Sequence, residues 1–429
     1  MTEHTLAADR PLAPTTLAEI SGPFFKRRVL AQLTRLREGH LSLVDGSERY
    51  EFGAVGQTSD LRATVRVHAD EVYRQMALGG SVGSAEAFMD GAWDADDLVA
   101  LVRILVRNRA VLDGMEGGPA RFFTAALRLW HSRRRNTREG SRRNIAAHYD
   151  LGNEFFALFL DESLMYSSAI FVDPAESLEV AQQRRLRRIC SKLDLKPGER
   201  VLEIGTGWGG FAIHAAREHG VHVTTTTISR RQYELARERV ARAGLADRIT
   251  LLLQDYRELR GEYDKLVSIE MIEAIGHQYL DTYFERVGAL LAPHGAALIQ
   301  AITIEDHRYE RALKDIDFIK RYIFPGSFIP CNAAMLGAVA RSSDLRLTHL
   351  EDIGPSYALT LRAWRERFLA RLPEVRAQGY SEAFVRMWEY YLCYCEGGFL
   401  ERSIGDVQML LQKPDNRRAQ YLPDLEPRI

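Results

Sequence analysis

The stretch VLEIGTGWGG, residues 201–210, joins an apolar run to a glycine-rich turn and then to a helix-like pattern in Phe211, Ala212, Ile213, Ala215 and Ala216. A strand, a tight turn and a helix start in that order bring a ligand against backbone N–H groups at a helix N-terminus. Gly205, Gly207 and Gly210 satisfy G-x-G-x-x-G, a spacing common to several nucleotide-cofactor sites. The second strand discriminates among them. A nicotinamide site wants an acid about 20 residues on for the ribose hydroxyls, and TTTTISRRQ, 224–232, has none. Arg230 or Arg231 would suit only a 2′-phosphate.

Glu203 stands two residues before the first glycine, and the order E-x-G-x-G-x-G resembles the first motif of class I methyltransferases. There the turn approaches the methionine part of S-adenosylmethionine. LLLQDY sets Asp255 and Tyr256 after the third strand, where such enzymes contact adenine, and Thr227 and Gln232 offer polar contacts for the ribose. The competing reading, a tight turn without a ligand, has to ignore the agreement between this motif and the strands that follow it.

The elements that would position these residues are β/α units. VLEIG (201–205), VHVTTTTI (221–228), ITLLLQD (249–255), YDKLVSIE (263–270) and AALIQAITI (296–304) read as strands, with helices such as 229–244 between them. This spacing predicts a mostly parallel, Rossmann-like α/β sheet with helices on both faces and ligands at its carboxyl edge. Helices at 362–379 and 381–403 follow. Residues 1–16 read as a polar tail. Residues 17–130 read as a smaller α+β domain, with strands around an Asp45-Gly46 turn and helices broken at Gly91. The arginine-rich 131–144 reads as a basic linker, and 145–429 as the catalytic domain.

The chain of 429 residues is 46% hydrophobic and 27% charged, with net charge −1, so nothing global argues for nucleic acid. Cys190, Cys331, Cys393 and Cys395 form neither a zinc pattern nor a disulfide framework, and no metal is expected. The most apolar stretch, 98–106, is interrupted by Arg103 and too short to span a bilayer. The N-terminus has no secretory h-region. These features predict a cytoplasmic protein that meets the inner face of the membrane from its surface, with the arginines of 131–144 as contacts for anionic headgroups or simply a solvated linker.

NIAAHYDLGNEFFALFLDESLMYSSAIF, LEIGTGWGG, TTISRRQ, LLLQDYREL, VSIEMIEAIG, YIFPGSFIP and YYLCYCEGGF follow one another along the chain. In these motifs and their order, across nearly its whole length, the sequence resembles the cyclopropane-fatty-acid synthases and their mycolic-acid-modifying relatives. The resemblance implies S-adenosylmethionine-dependent alkylation of a cis alkene in a phospholipid acyl chain. The alkene attacks the sulfonium methyl, a carbocation forms, and a base removes a proton as a ring closes. It also implies a cofactor site that includes Tyr166, Ser167, Gly205, Gly207, Thr227, Gln232, Asp255, Tyr256 and Ile269, and a lipid-engaging role for 17–130. It admits a homodimer and a separate reductase.

In the family a bound bicarbonate serves as the base. Carried over residue by residue, its ligands are Glu273, Tyr357 and Cys395, whereas Ser168 replaces a cysteine and Gln300 a histidine. Ser168 and Gln300 can donate hydrogen bonds but hold no charge, so bicarbonate is expected to bind more weakly. The product then lies between a cyclopropane and a methylene- or methyl-branched chain, with a non-catalytic lipid-binding relative as a third reading. Tyr166, Tyr357, Tyr390 and Tyr391 are aromatic faces that could stabilise the cation, Tyr390 also reading as core. Glu270 ranks below Glu273, which itself competes with a buried carboxylate satisfied by backbone. His148 is expected to shape the cofactor lid, and 318–330 either to line an acyl tunnel or to fill core. Cys393 is expected to pack, and Cys190 and Cys331 receive no role.

Overall fold

The structure is a computed structural model that describes residues 17–54, 59–111 and 151–419. The 1–16 tail, the 131–144 linker and His148 lie outside the described residues.

The smaller of two sheets contains β1 (Gly39–Asp45), β2 (Glu48–Ala54), β3 (Arg62–Val67) and β4 (Trp93–Ala95), in the order β2-β1-β3-β4. Beside it are α1 (Leu17–Leu33), α2 (Glu71–Met89) and α3 (Leu98–Arg107). The expected turn is there: Asp45 pairs with Glu48, and Gly46 takes φ +58°, which a two-residue hairpin loop favours. β1 also pairs in parallel with β3.

The larger sheet has seven strands in the order β10-β11-β9-β8-β5-β6-β7. Five are the parallel strands read from the sequence: β5 (Arg200–Ile204), β6 (His222–Thr227), β7 (Ile249–Leu253), β8 (Tyr263–Ile269) and β9 (Leu291–Ile304). The helices are α4 (Asn153–Phe156), α5 (Leu178–Leu193), α6 (Gly210–His219), α7 (Arg230–Arg242), α8 (Leu280–Leu290), α9 (Tyr309–Lys314), α10 (Asn332–Ser342), α11 (Gly354–Ala370), α12 (Leu372–Ala377) and α13 (Glu382–Leu400). Alternation along β5 divides the core. Val201 packs with Leu186 of α5 and Phe211 of α6. Leu202 and Ile204 pack with Phe284 and Val287 of α8. Helices therefore cover both faces, as buried parallel strands require.

The sequence reading missed β10 (Arg346–Asp352) and β11 (Ile404–Gln412), an antiparallel pair that extends the sheet beyond β9. β11 carries Asp406 and Gln408, both fully buried. The chain runs outward from β5 to β6 and β7, then returns to the other side of β5 as β8 and β9. Such a reversal opens a crevice at the carboxyl edge of the sheet.

α13 docks the two sheets' elements together. A Cβ on Gly397 would lie 2.6 Å from Val102 Cγ1 on α3, so only glycine permits this approach. Glu401 accepts from Arg103 and Arg107 of α3 at 2.6 and 2.7 Å. Segment 151–171 is fixed by aromatic packing: the Phe155 ring meets Trp388 of α13 at 4.9 Å, and Tyr166 meets Trp364 of α11 at 5.2 Å.

Candidate active site

A cavity of about 610 Å³ opens at the carboxyl edge of the larger sheet, within the roughly 300–1,000 Å³ range of small-molecule sites. It reaches from the glycine turn into the smaller sheet, where Leu41, Leu43, Val65, Trp93 and Leu101 line it.

One half of the cavity lies beside β5–β7. Gly205, Gly207 and Gly209 all have positive φ, so the backbone turns sharply without side-chain cost. The N–H groups of Gly205 and Thr206 donate to Thr226 O, which fixes the turn against β6. A Cβ on Gly210 would stand 2.6 Å from Ser163 O and Met165 Sδ, so 163–165 closes over the helix start only because no side chain is there. Thr227 donates to Gln232 Oε1 at 2.8 Å, and Ser229 caps α7 by accepting from the Gln232 N–H. Asp255 holds the Arg257 guanidinium at 2.6 Å. Tyr166, Ser167, Tyr256 and Ile269 also line this cavity. Ser167 Oγ accepts from the buried Arg185 at 2.9 Å.

Glu203 faces the same space. Burial pushes its carboxyl up to about 8, and its Oε2 has no hydrogen-bond partner among the described residues. A glycine turn with an orphaned buried acceptor beside it fits S-adenosylmethionine, which carries donors and a positive charge. The turn, Thr227, Gln232 and Asp255 are the residues that would hold it.

The other half lies beside β8, β9 and β11, and here the arrangement departs from expectation. Glu270 directly follows β8 with φ +46°, a left-handed conformation uncommon for a non-glycine residue. Its Oε1 accepts from the Ser168 N–H and from Gln300 Nε2, both at 2.8 Å, and its Oε2 from the Tyr357 hydroxyl at 2.6 Å. Glu270 lines the cavity, whereas Ser168, Gln300 and Asp406 are fully buried and do not. Gln300 also donates to Asp406 Oδ2 at 3.1 Å and accepts from Gln408 at 3.0 Å. Burial raises the Asp406 carboxyl well above the carboxylate range, and the Glu270 charge beside it raises it further. Burial raises Glu270 too, while hydrogen bonds led by Tyr357, and the Arg185 charge, oppose the rise.

Several expectations are therefore corrected. Ser168 acts through its N–H, because its hydroxyl donates to Ala169 O at 3.0 Å. Gln300 sits mid-strand in β9 and serves a carboxylate of the chain. Glu273, ranked first, binds the Ile302 N–H through Oε1, and its Oε2 is buried without a partner among the described residues. Glu273 lines the cavity, as does Glu270, and it is on Glu270 that the Ser168, Gln300 and Tyr357 donors converge. Residues 270–273 are a strand end and a 3₁₀ turn, so the two carboxyls are not stacked as they would be on an α-helix. Three of the groups expected to cradle bicarbonate, Ser168, Gln300 and Tyr357, bind Glu270 in its place, while Glu273 and Cys395 line the cavity, and an anion seated among them would meet the Glu270 carboxylate.

Cys395 lines the cavity from α13, its thiol pushed up by burial. Tyr166, Tyr357, Tyr390 and Tyr391 all line it, and the Tyr166 and Tyr391 hydroxyls share a hydrogen bond of 2.9 Å. Tyr390 also packs edge-on against Phe318 at 4.9 Å. From segment 318–330, Phe324, Pro325, Phe328 and Ile329 line the wall, and a π-helical turn at Ile319–Ile323 re-aims the chain there. Cys393 is buried. Cys190 and Cys331 do not line the cavity, although a ligand atom of Cys190 lies within 4.8 Å of ligand atoms of His214 and His219. Asp406 and Arg185 were missed, since neither lies in a stretch with a motif; for Glu270 the signal was the pair of acids in EMIE.

The family described as mycolic acid cyclopropane synthetase matches residues 136–409. The chain is 39% identical to tuberculostearic acid methyltransferase UfaA1 of Mycobacterium tuberculosis, over 82% of this chain and 83% of that protein. It is 40% identical to the cyclopropane-fatty-acyl-phospholipid synthase of Escherichia coli, over 82% and 88%. The cyclopropane synthase MmaA2 of M. tuberculosis superposes with a TM-score of 0.59 at 29% identity, over 63% of this chain and 98% of that one. The mycolic acid cyclopropane synthase CmaA1, solved with SAH and CTAB, gives 0.59 at 30%, over the same shares.

Proposed function

This chain belongs to the mycolic acid cyclopropane synthetase family, and within it we propose that the protein alkylates the cis double bond of an unsaturated phospholipid acyl chain. It is an S-adenosylmethionine-dependent methyltransferase of lipid acyl chains. The carrying observation is a single cavity that joins the glycine turn, an apolar passage and the Glu270–Tyr357 pair.

When bound, S-adenosylmethionine supplies an electrophilic methyl group. The residues of the chain do the rest. The glycine turn, Thr227, Gln232 and Asp255 hold and orient the cofactor. The apolar wall from Phe324 to Ile329 and the smaller sheet hold the acyl chain and exclude water, which would trap a cation. The faces of Tyr166, Tyr357 and Tyr391 stabilise positive charge on the chain. Cys395 shapes the wall beside them.

Two products share every step up to the cation. A ring forms when a proton leaves the new methyl at once. A methylene branch forms when a hydride migrates along the chain first. Ser168 and Gln300, which hold no charge and serve Glu270, favour the second reading, because a proton acceptor tethered by several donors removes the proton later. A separate reductase would then complete a methyl branch.

The smaller sheet is the lipid-engaging part in this proposal, and the arginines of 131–144 contact anionic headgroups at the inner membrane face. No helix among the described residues is long and apolar enough to cross a membrane. The test is gas chromatography with mass spectrometry of fatty acids after incubation with methyl-labelled S-adenosylmethionine and oleoyl-phospholipid vesicles. A labelled chain heavier by one methylene is expected, and its fragmentation separates ring from branch. Absence of labelled lipid while the cofactor still binds overturns the proposal.

A further inference from the structure

We propose that the Glu270 carboxylate is itself the anion of this active site, the base that accepts the proton, so that the enzyme works without bicarbonate. This rests on the alkylation reading above and concerns how that reaction ends.

The observation is the collection of donors on one side chain. Ser168 N–H, Gln300 Nε2 and Tyr357 O–H converge at 2.6–2.8 Å on Glu270, from three separate segments. Such a set is what a small oxyanion needs, and here a carboxylate of the chain fills it. The left-handed backbone at Glu270 has a cost that a merely structural glutamate would not require. It turns the side chain from the strand end into that set.

Charge is distributed to suit a base. Glu270 is faced by Asp406 of β11, by Glu273, by Tyr357 of α11 and, at longer range, by the buried Arg185 of α5. Two neighbouring buried carboxyls do not both ionise. Glu270 has three donors, whereas Asp406 accepts only from Gln300 and its Oδ1 has no partner among the described residues. The proton therefore resides on Asp406 and the charge on Glu270. Glu273 is pushed up to about 8 by burial and by the Glu270 charge, so at neutral pH it is largely protonated and the poorer acceptor. Among the described residues, only Glu270 combines a carboxylate, this donor set and a place on the cavity wall.

The step balances without a further reagent. The alkene π pair forms a bond to the methyl carbon as the carbon–sulfur bond breaks and its pair leaves on sulfur, which leaves a cation on the acyl chain. A C–H bond of that methyl then breaks and its proton passes to a Glu270 oxygen. The freed pair closes the ring or, after hydride migration, forms the exocyclic double bond. Glu270 returns the proton to water as the product leaves.

The test compares wild type and Glu270→Gly in buffer stripped of dissolved carbon dioxide and in the same buffer with bicarbonate restored. Glycine suits the backbone at this φ, so the variant is expected to fold. Wild-type turnover is expected to agree within about twofold in both buffers. Glu270→Gly is expected to lose at least about 100-fold in stripped buffer, the usual scale of a lost general base, with S-adenosylmethionine affinity by calorimetry kept. Added bicarbonate, entering the vacated donor set, is expected to restore at least part of that loss, and isotope-labelled bicarbonate to show binding by NMR to the variant and not to wild type. A wild type that fails in stripped buffer and recovers with bicarbonate overturns the inference, as does a variant that keeps full activity there. No labelled lipid from wild type in either buffer overturns the alkylation reading itself.

Discussion

Along β5–β7, the cavity is built from backbone and from residues that stand beside a strand end: the 205–210 turn, Thr227 with Gln232, and Asp255. Along β8–β11, its wall carries Glu270 and Tyr357, and behind the wall the Ser168 N–H, Gln300 and Asp406 arrive from distant parts of the chain. The first half leaves an orphaned acceptor, Glu203, for a ligand to satisfy. The second half satisfies Glu270 internally and leaves only Glu273 Oε2, beside it, without a partner among its described carboxylates on the cavity wall. The cofactor half is therefore a receptacle, whereas the opposite half already contains its anion. A change in the first should alter binding, and a change in the second should alter turnover.

The largest effect is expected from Gly210→Val. A side chain there meets Ser163 O, a backbone atom that cannot step aside. S-adenosylmethionine affinity should fall at least about 100-fold, near 3 kcal/mol, as measured by calorimetry. An affinity within about threefold of wild type would break the description of this half.

Tyr357→Phe should sharpen the other half. It removes a donor that favours the charged form of Glu270, so the Glu270 carboxyl rises and the base remains protonated to higher pH. Turnover should fall about tenfold, the scale of one hydrogen bond to a charged group. The acid limb of the rate profile should move to higher pH. A uniform loss with an unmoved profile would mean that Tyr357 only packs.

The smallest effect is expected from Glu273→Gln. Turnover should change by less than about threefold, the scale of one weak net hydrogen bond, since in this account Glu270 takes the proton and glutamine keeps an acceptor for the Ile302 N–H. Stability should separate the two proteins. The folded chain holds the Glu273 proton up to about pH 8, mainly through burial, whereas the unfolded chain releases it near the usual carboxylate pKa. Wild type therefore loses stability as pH rises through that window. The Tm of Glu273→Gln should gain on wild type between pH 5 and 8. A gap that is constant with pH would contradict the shift.

The same contrast explains what the sequence made legible. Five parallel strands, the hairpin at Asp45-Gly46 and the glycine turn follow from local pattern, because strand, turn and helix start are contiguous. β10 and β11 were not legible, since SIGDVQMLL alternates weakly and lies far from the strands it joins. Tyr357, Ser168 and Gln300 could be located by resemblance, but not the group they serve. That group depends on how β8 ends: the left-handed residue at Glu270 decides which of two nearby acids enters the donor set, and no spacing rule encodes it. Asp406 came from a strand that had not been recognised.

The measurement to make first is a paired one on Glu270→Gln: S-adenosylmethionine affinity by calorimetry, and turnover on oleoyl-phospholipid vesicles. The expected result is affinity within about twofold of wild type, with turnover lower by at least about 100-fold, as for loss of a general base. Affinity and turnover falling together, or turnover near that of wild type, would contradict the separation of a cofactor half from a half that carries its own anion.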